Sequence, residues 1–555
     1  MKKYIPYQGL DFPGRTWPSK SIMQRPVWCS VDLRDGNQAL ANPMNPEQKM
    51  NYFKLLVAMG FKEIEISFPS ASKDDFDFTK KLIDQNLIPE DCTIQILTQA
   101  RDHLIKKSFE AINGCKRAIV HFYNSTSPAQ REIVFKKSRK EIIDIAVDAA
   151  LQIRDLSKKH TGEIVLQYSP ESFSQTEIDF ACEICNSVVN AWEPQTNEKV
   201  IINFPSTVEV TTPNIFADQI EYAGKHLDHR ENIILSVHTH NDRGCAVAAA
   251  ELALQAGADR VEGTLFGNGE RTGNADLITI ALNLYSQGID PGIDVFNISH
   301  IQEIYEMCTG MSIHPRHPYA GELVFTAFSG SHQDAISKGL ANYKISSGQW
   351  NVPYLPIDPS DIGRSYDAVI RINSQSGKGG AAFIMESSFA FQIPKEMHPA
   401  FGATVQKAAD IKGCELTITE VKDCFYRNFI DFQGPLSITN FSIEPQGTEL
   451  NAKSTHAISI TAEINNGSSI VPVKGNGNGI IDAMSKAFNS IGIFFSVVSF
   501  HEHSISGGSD AKAVAYITIE DKESRKFYGA GVDTDIAFTS LKALISAINR
   551  MVMLE

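Results

Sequence analysis

No stretch of 18 consecutive apolar residues occurs anywhere in this 555-residue chain, which argues against a membrane-spanning helix. A basic excess is also missing: 51 Lys and Arg stand against 65 Asp and Glu, a formal net charge of −14. Nucleic acid and anionic membrane surfaces would repel such a chain, so neither is an expected partner. The nine cysteines are odd in number and scattered, which suits reduced thiols in a cytoplasm better than a disulfide framework. The start, MKKYIPYQGLDFPGRTWPSK, has no apolar run behind its first lysines and is broken by Pro and Gly, so it predicts no secretory signal. Cys182 and Cys185 form a C-x-x-C, but the apolar spacing of TEIDFACEICNSVV around them predicts a core helix.

What is present is globular: 43% hydrophobic and 21% charged residues, in a length that predicts about two to four domains. Over the first 270 residues, short β-rich runs alternate with longer segments of helical period. The runs include WCSVDL (28–33), EIEISF (63–68), RAIVHFY (117–123), EIVLQYS (163–169), ILSVHTH (234–240) and RVEGTLF (260–266). Strand, crossover and strand at this spacing predict parallel βαβ units, and eight of them make one (β/α)8 TIM barrel. A doubly wound sheet is the alternative, but no G-x-G-x-x-G turn follows the first strand. The expected organisation is an N-terminal extension (1–25), the barrel (26–330), small α/β linker subdomains (331–430) and a C-terminal α+β domain (431–555).

That last segment contains a repeat. GNGNGIIDA (475–483) and GAGVDTDIA (529–537) match at an offset of 54 positions, each after two strand-like runs and each opening a helix. Duplicated ββα units can pack together and leave a crevice. Glycine turns at Gly475, Gly477, Gly529 and Gly531 would then offer backbone N–H groups to a small carboxylate ligand. The alternative is that these glycines only make tight turns.

In a barrel, the carboxyl ends of the strands face one mouth, where catalysis is built. The strand ends supply Arg34 and Asp35, His121, Ser169 and Glu171, Thr207, His238 and His240, then GNGERTGNAD with Asn268, Arg271 and Asn274. His238 and His240, two residues apart on a strand, share one face and can bind one metal ion. Asp35 would add a charged oxygen and Asn274 an amide oxygen, leaving positions open for substrate. This mixed donor set does not choose among magnesium, manganese and zinc.

At these residues the chain resembles the 2-isopropylmalate synthase family of metal-dependent barrel acyltransferases. The likeness rests on LRDGNQAL (33–40), EIEISFPSAS (63–72), HFYNSTS (121–127), HTHNDRG (238–244) and GTLFGNGERTGNADL (263–277). It continues through SGSHQDAI (329–336), DPSDIGRSYDAVIRINSQSGKGG (358–380) and the C-terminal repeat. Many relatives read GEQ where this chain has Asn37 in GNQ. The resemblance implies condensation of acetyl-CoA with 3-methyl-2-oxobutanoate to 2-isopropylmalate and CoA, the committed step towards leucine. It implies a cytoplasmic homodimer whose C-terminal domain binds leucine as feedback inhibitor. It also implies a divalent metal, Mg2+ first and Mn2+ or Zn2+ as alternatives, held by Asp35, His238, His240 and Asn274. Arg34 would stabilise the developing alkoxide, with Glu171, His121, Ser169 and Thr207 around the substrate. His332 and Tyr366 would stand near acetyl-CoA, where one of them takes part in removing the methyl proton. The rivals are a sibling synthase making homocitrate or citramalate, a metal-dependent hydrolase on the same barrel, and an amino-acid-binding regulator whose barrel has lost activity.

Overall fold

The computed structural model describes residues 7, 9–327, 329–346, 348–364, 366, 380–412, 416–430, 432–446, 457–508 and 510–554. The chain forms two compact units. The first is Met1–Val324 with Ile357–Ser365, and the second is Phe325–Pro356 with Tyr366–Glu555. The described residues of 331–430 therefore group with the C-terminal segment, apart from those of 357–364, which group with the barrel.

The first unit is a closed barrel of eight parallel strands: β1 (Val27–Ser30), β2 (Glu63–Ser67), β3 (Thr93–Gln99), β4 (Arg117–Ser125), β5 (Glu163–Glu171), β6 (Val200–Ser206), β7 (Ile233–Thr239) and β8 (Arg260–Gly263). Closure is made by β1 on β8, with Val27 opposite Arg260 and Ser30 opposite Gly263. The crossovers are helices whose starts carry local signals. Asn45 and Ser138, for instance, each begin a helix with a capping box, accepting from backbone N–H groups left unpaired in the first turn. Cys182 and Cys185 are buried on the helix Ile178–Trp192, as their spacing predicted.

The second unit corrects the expected repeat. Each copy has three strands and a helix rather than two strands and a helix. β9 (Ser437–Gln446), β10 (Ala457–Asn465) and β11 (Ile470–Gly477) precede the helix Ile480–Asn489. β12 (Ser496–Ser504), β13 (Ala513–Glu520) and β14 (Lys526–Asp533) precede the helix Ile536–Leu554. The unpredicted strands, β9 and β12, lie at sheet edges, and the exposure of β12 leaves little of the alternation that marks a half-buried strand. Both copies share one core, in which Ile460 and Phe488 of the first join Ile517 and Leu544 of the second.

The four glycines are not turn residues. Gly475 and Gly477 lie in β11 and Gly529 and Gly531 in β14. A Cβ on Gly529 would stand 2.3 Å from the Ala543 carbonyl oxygen, and one on Gly531 would stand 2.2 Å from that of Thr539. They are glycines because the sheet packs backbone-close onto its own helix, and their faces are taken by that helix. The C-terminal stretch Ile536–Met553 has a mean hydropathy of 1.3, long and apolar enough by composition to cross a membrane, but 56% of it is buried in the unit.

Candidate active site

At the barrel mouth, a cavity of about 690 Å³ is lined by Arg34, Asp35, His121, Ser169, Glu171, Thr207, His238 and His240. All eight were expected there from the strand ends. Arg34 and Asp35 arrive on a tight turn after β1, in which the Val31 carbonyl accepts from the N–H groups of Arg34, Asp35 and Gly36 at 3.2, 2.9 and 3.1 Å. The turn is pinned by Asp32, whose carboxyl group accepts from Tyr52 Oη at 2.8 Å and from Leu265 N at 3.1 Å. Burial pushes the Asp32 carboxyl up to about 7, against the hydrogen bonds that favour its charge.

His238, in β7, and His240, one residue beyond it, present their rings to the same side, with centroids 5.1 Å apart. His238 Nε2 is 3.4 Å and His240 Nε2 3.8 Å from Asp35 Oδ2. One ligand atom from each of the three residues lies within 4.8 Å of the others. Asn274 closes the set: its Oδ1 is 2.8 Å from His238 Nε2, and its Nδ2 donates to Asp35 Oδ2 at 2.8 Å. Two glycines of the GNGERTGN loop make room for it. A Cβ on Gly269 would lie 2.2 Å from Asn274 Nδ2, and Gly273, at φ +101°, turns the chain where most residues would be strained.

The surroundings of His238 call for a cation. Its Nδ1 faces Glu262 Oε2 at 2.9 Å while its Nε2 faces the oxygens of Asn274 and Asp35. Both ring nitrogens thus meet acceptors, and a neutral imidazole has only one N–H to offer. Something positive, a proton or a metal ion, belongs at Nε2. Against the desolvation that lowers it, the contacts with Asp35 and Glu262 raise the imidazole to about 10. His240 goes the other way: burial and the neighbouring His238 charge hold it down at about 4, so its ring is neutral and free to coordinate. Burial would raise the Asp35 carboxyl, but Arg34 and His238 keep it well below the usual range. A carboxylate, two imidazoles and an amide oxygen fit a divalent ion.

Beneath the cavity lies a buried polar layer that the strand-end reading did not include. Glu65, wholly buried, accepts from Arg34 Nε on one oxygen and from Gln95 Nε2 at 2.6 Å on the other, which also stands 2.7 Å from His121 Nδ1. Arg34 Nη1 donates to Asp35 at 2.6 Å. His121 Nε2 meets Ser169 Oγ at 2.8 Å, and Asn203 Nδ2 donates to the same hydroxyl at 3.0 Å. Arg260 lies at the barrel centre, donating to Glu262 at 2.7 Å and to Gln95 at 2.8 Å. One signal was available: charged and amide residues alternating with aliphatic ones in EIEIS and TIQIL, an inward polar face inside runs otherwise read as hydrophobic. Glu171 is bonded by Ser125 Oγ, and Thr207 Oγ1 accepts from Ser172 N at 2.9 Å. Glu270 and Arg271 also line the cavity, Arg271 being tied to Asp242 at 2.7 Å.

His332 and Tyr366 belong to the second unit. His332 is exposed, its ring stacked on Tyr354 with centroids 4.1 Å apart. The Tyr366 hydroxyl is buried with no hydrogen-bond partner among the described residues.

Three family profiles match the chain in succession: HMGL-like over residues 25–304; Alpha-isopropylmalate synthase, post-catalytic domain-like, over 322–386; and LeuA allosteric (dimerisation) domain over 415–552. A 2-isopropylmalate synthase of Clostridium acetobutylicum is 51% identical over 555 residues, covering 99% of each chain. One of Acetoanaerobium sticklandii is 49% identical over 556 residues, covering 100% of this chain and 97% of its own. One of Rhodospirillum rubrum is 49% identical over 554 residues, covering 99% of this chain and 98% of its own.

Proposed function

Because this chain belongs to the 2-isopropylmalate synthase family, we propose that it condenses acetyl-CoA with 3-methyl-2-oxobutanoate, giving 2-isopropylmalate and CoA on the way to leucine. The observation that carries this reading is the convergence of Asp35, His238 and His240 within 4.8 Å of one another in the same cavity wall as Arg34. These three residues and Asn274 would hold a divalent ion, Mg2+ first and Mn2+ or Zn2+ as alternatives, which would supply Lewis-acid polarisation of the keto carbonyl.

The chain's own groups do the rest. The acetyl methyl loses a proton and its carbon bonds to the keto carbon, whose oxygen takes the electron pair. Arg34 is the group proposed to meet that negative charge, and its bonds to Asp35 and Glu65, which fix its guanidinium beforehand, support the role because little reorganisation is needed. His121, oriented by Glu65, and Ser169, Thr207 and Glu171 line the cavity that positions the oxo acid. Water then cleaves the thioester and releases CoA. His332 and Tyr366 are the proposed handlers of the methyl proton. Leucine is the proposed effector of the second unit, and the match to a LeuA allosteric (dimerisation) domain supports both that role and a homodimer. The proposed compartment is the cytoplasm.

The test is release of free CoA thiol from acetyl-CoA, with 3-methyl-2-oxobutanoate, pyruvate and 2-oxoglutarate compared at equal concentration. The first should give by far the highest kcat/KM. Preference for pyruvate or 2-oxoglutarate would make this a citramalate or homocitrate synthase, and thiol release independent of any oxo acid would make it a hydrolase.

A further inference from the structure

We infer that Glu262 is the positioning residue of the metal site, fixing which nitrogen of His238 faces the ion; this rests on the metal reading above. The register of β7 and β8 places Glu262 directly beside His238. Its carboxylate is fully buried near the barrel axis and collects donors from five strands. Oε1 accepts from Gln167 Nε2 at 2.6 Å, Arg260 Nη1 at 2.7 Å and Gln95 Nε2 at 3.1 Å. Oε2 faces His238 Nδ1 at 2.9 Å and accepts from Asn203 Nδ2 at 3.2 Å.

Surrounded by donors, Glu262 has no proton to give and can only accept from His238. Nδ1 therefore carries the hydrogen, and the Nε2 lone pair points to Asp35, Asn274 and the ion's place. Without that anchor a neutral imidazole is free to put its hydrogen on Nε2, the atom that must coordinate. Outer partners of this kind set ligand orientation and are worth roughly 10–100-fold in metal affinity.

Glu262→Gln is the informative change, because it keeps the volume and the three donors at Oε1 occupy the only oxygen left. The new amide NH2 then turns towards His238 Nδ1, donor against donor, and the imidazole must move its hydrogen to Nε2. The experiment is calorimetric titration of the chelator-stripped full-length protein with Mn2+, alongside its Tm and circular dichroism. Glu262→Gln should raise the Mn2+ Kd by about 10–100-fold. Glu262→Asp keeps the charge but withdraws the carboxylate by one methylene, so it should also weaken binding; it decides the matter if the Gln variant does not fold. Ser236→Ala removes a hydroxyl that accepts from Arg260 Nη1 at 2.8 Å without touching His238, and should leave the Kd unchanged. If Glu262→Gln and Glu262→Asp bind Mn2+ like the wild type while His238→Ala does not, the inference is wrong and the metal site stands. If Ser236→Ala weakens binding as much as Glu262→Gln, general packing of the layer is responsible and the inference is again wrong. If His238→Ala itself binds normally, the metal reading fails with it.

Discussion

Replacing Arg34 by lysine keeps one positive charge and removes the planar fork that the site uses. Arg34 commits Nε to Glu65 and Nη1 to Asp35, at 2.6 Å for the latter, which leaves Nη2 as the donor for a substrate oxygen among the described contacts. A lysine carries its donors on one nitrogen, which cannot satisfy two carboxylates, one on the turn after β1 and one on β2, and also meet a developing alkoxide. One charge-assisted donor to the transition state is therefore lost. Removing such a donor costs about 2.7–4 kcal/mol, so kcat should fall by about 10²-fold or more. Because the buried charge is retained, the fold should survive and Tm should move little. The assay is steady-state release of CoA thiol, with kcat and KM for the oxo acid separated, beside a thermal melt. A variant in which only KM rises, with kcat intact, would refute the argument: Arg34 would then bind substrate and transition state alike.

His240→Ala should abolish turnover and weaken Mn2+ binding by more than about tenfold while circular dichroism stays native; full activity in chelated buffer without added metal would remove the metal assignment. In the stripped protein His238 has its pKa raised to about 10, above its unfolded value, so its contribution to stability is complete below about pH 6.5 and is lost as pH rises towards 10. The stripped barrel should therefore melt lower at pH 9.5 than at pH 7, by an amount on the order of a few kcal/mol, and saturating metal, which displaces that proton, should flatten the dependence. An unchanged Tm across that range would contradict the buried contacts of His238 with Asp35 and Glu262. Gly529→Ala places a methyl group 2.3 Å from the Ala543 carbonyl oxygen, so the second unit should lose about 1–3 kcal/mol as an overpacked interface; a variant melting with the wild type would show that sheet and helix can separate at no cost.

The barrel was legible because its pattern is local. Each crossover unit repeats strand, loop and helix within tens of residues, and the hydrophobic period changes visibly between them. The same locality made His238 and His240 readable as one face, since two residues along a strand always return to the same side. Arg34, Asp35, His121, Ser169, Glu171 and Thr207 followed because each lies on a strand or on the turn just beyond its carboxyl end, and parallel strands in a closed barrel end at one mouth. The repeat was legible as a repeat but not in its make-up: β9 and β12 are edge strands, and β12 carries little alternation. The glycines were misread as turns because a glycine letter does not say what approaches it. The Ala543 carbonyl does so for Gly529, from 14 residues further along the chain.

Sequence alone thus determined the fold class and the ring of polar groups at the mouth, because both arise from periodicities carried within single elements. Only the tertiary structure decided how those groups are held. Glu65 reaches Arg34, Gln95 and His121, while Glu262 joins Arg260, Gln167, Asn203 and His238. Gln167 and Glu262 lie 95 residues apart in the chain, and Gln95 and Glu262, which also meet, lie 167 apart. They meet because closing the sheet sets the register between strands, and no pattern within one strand contains that register.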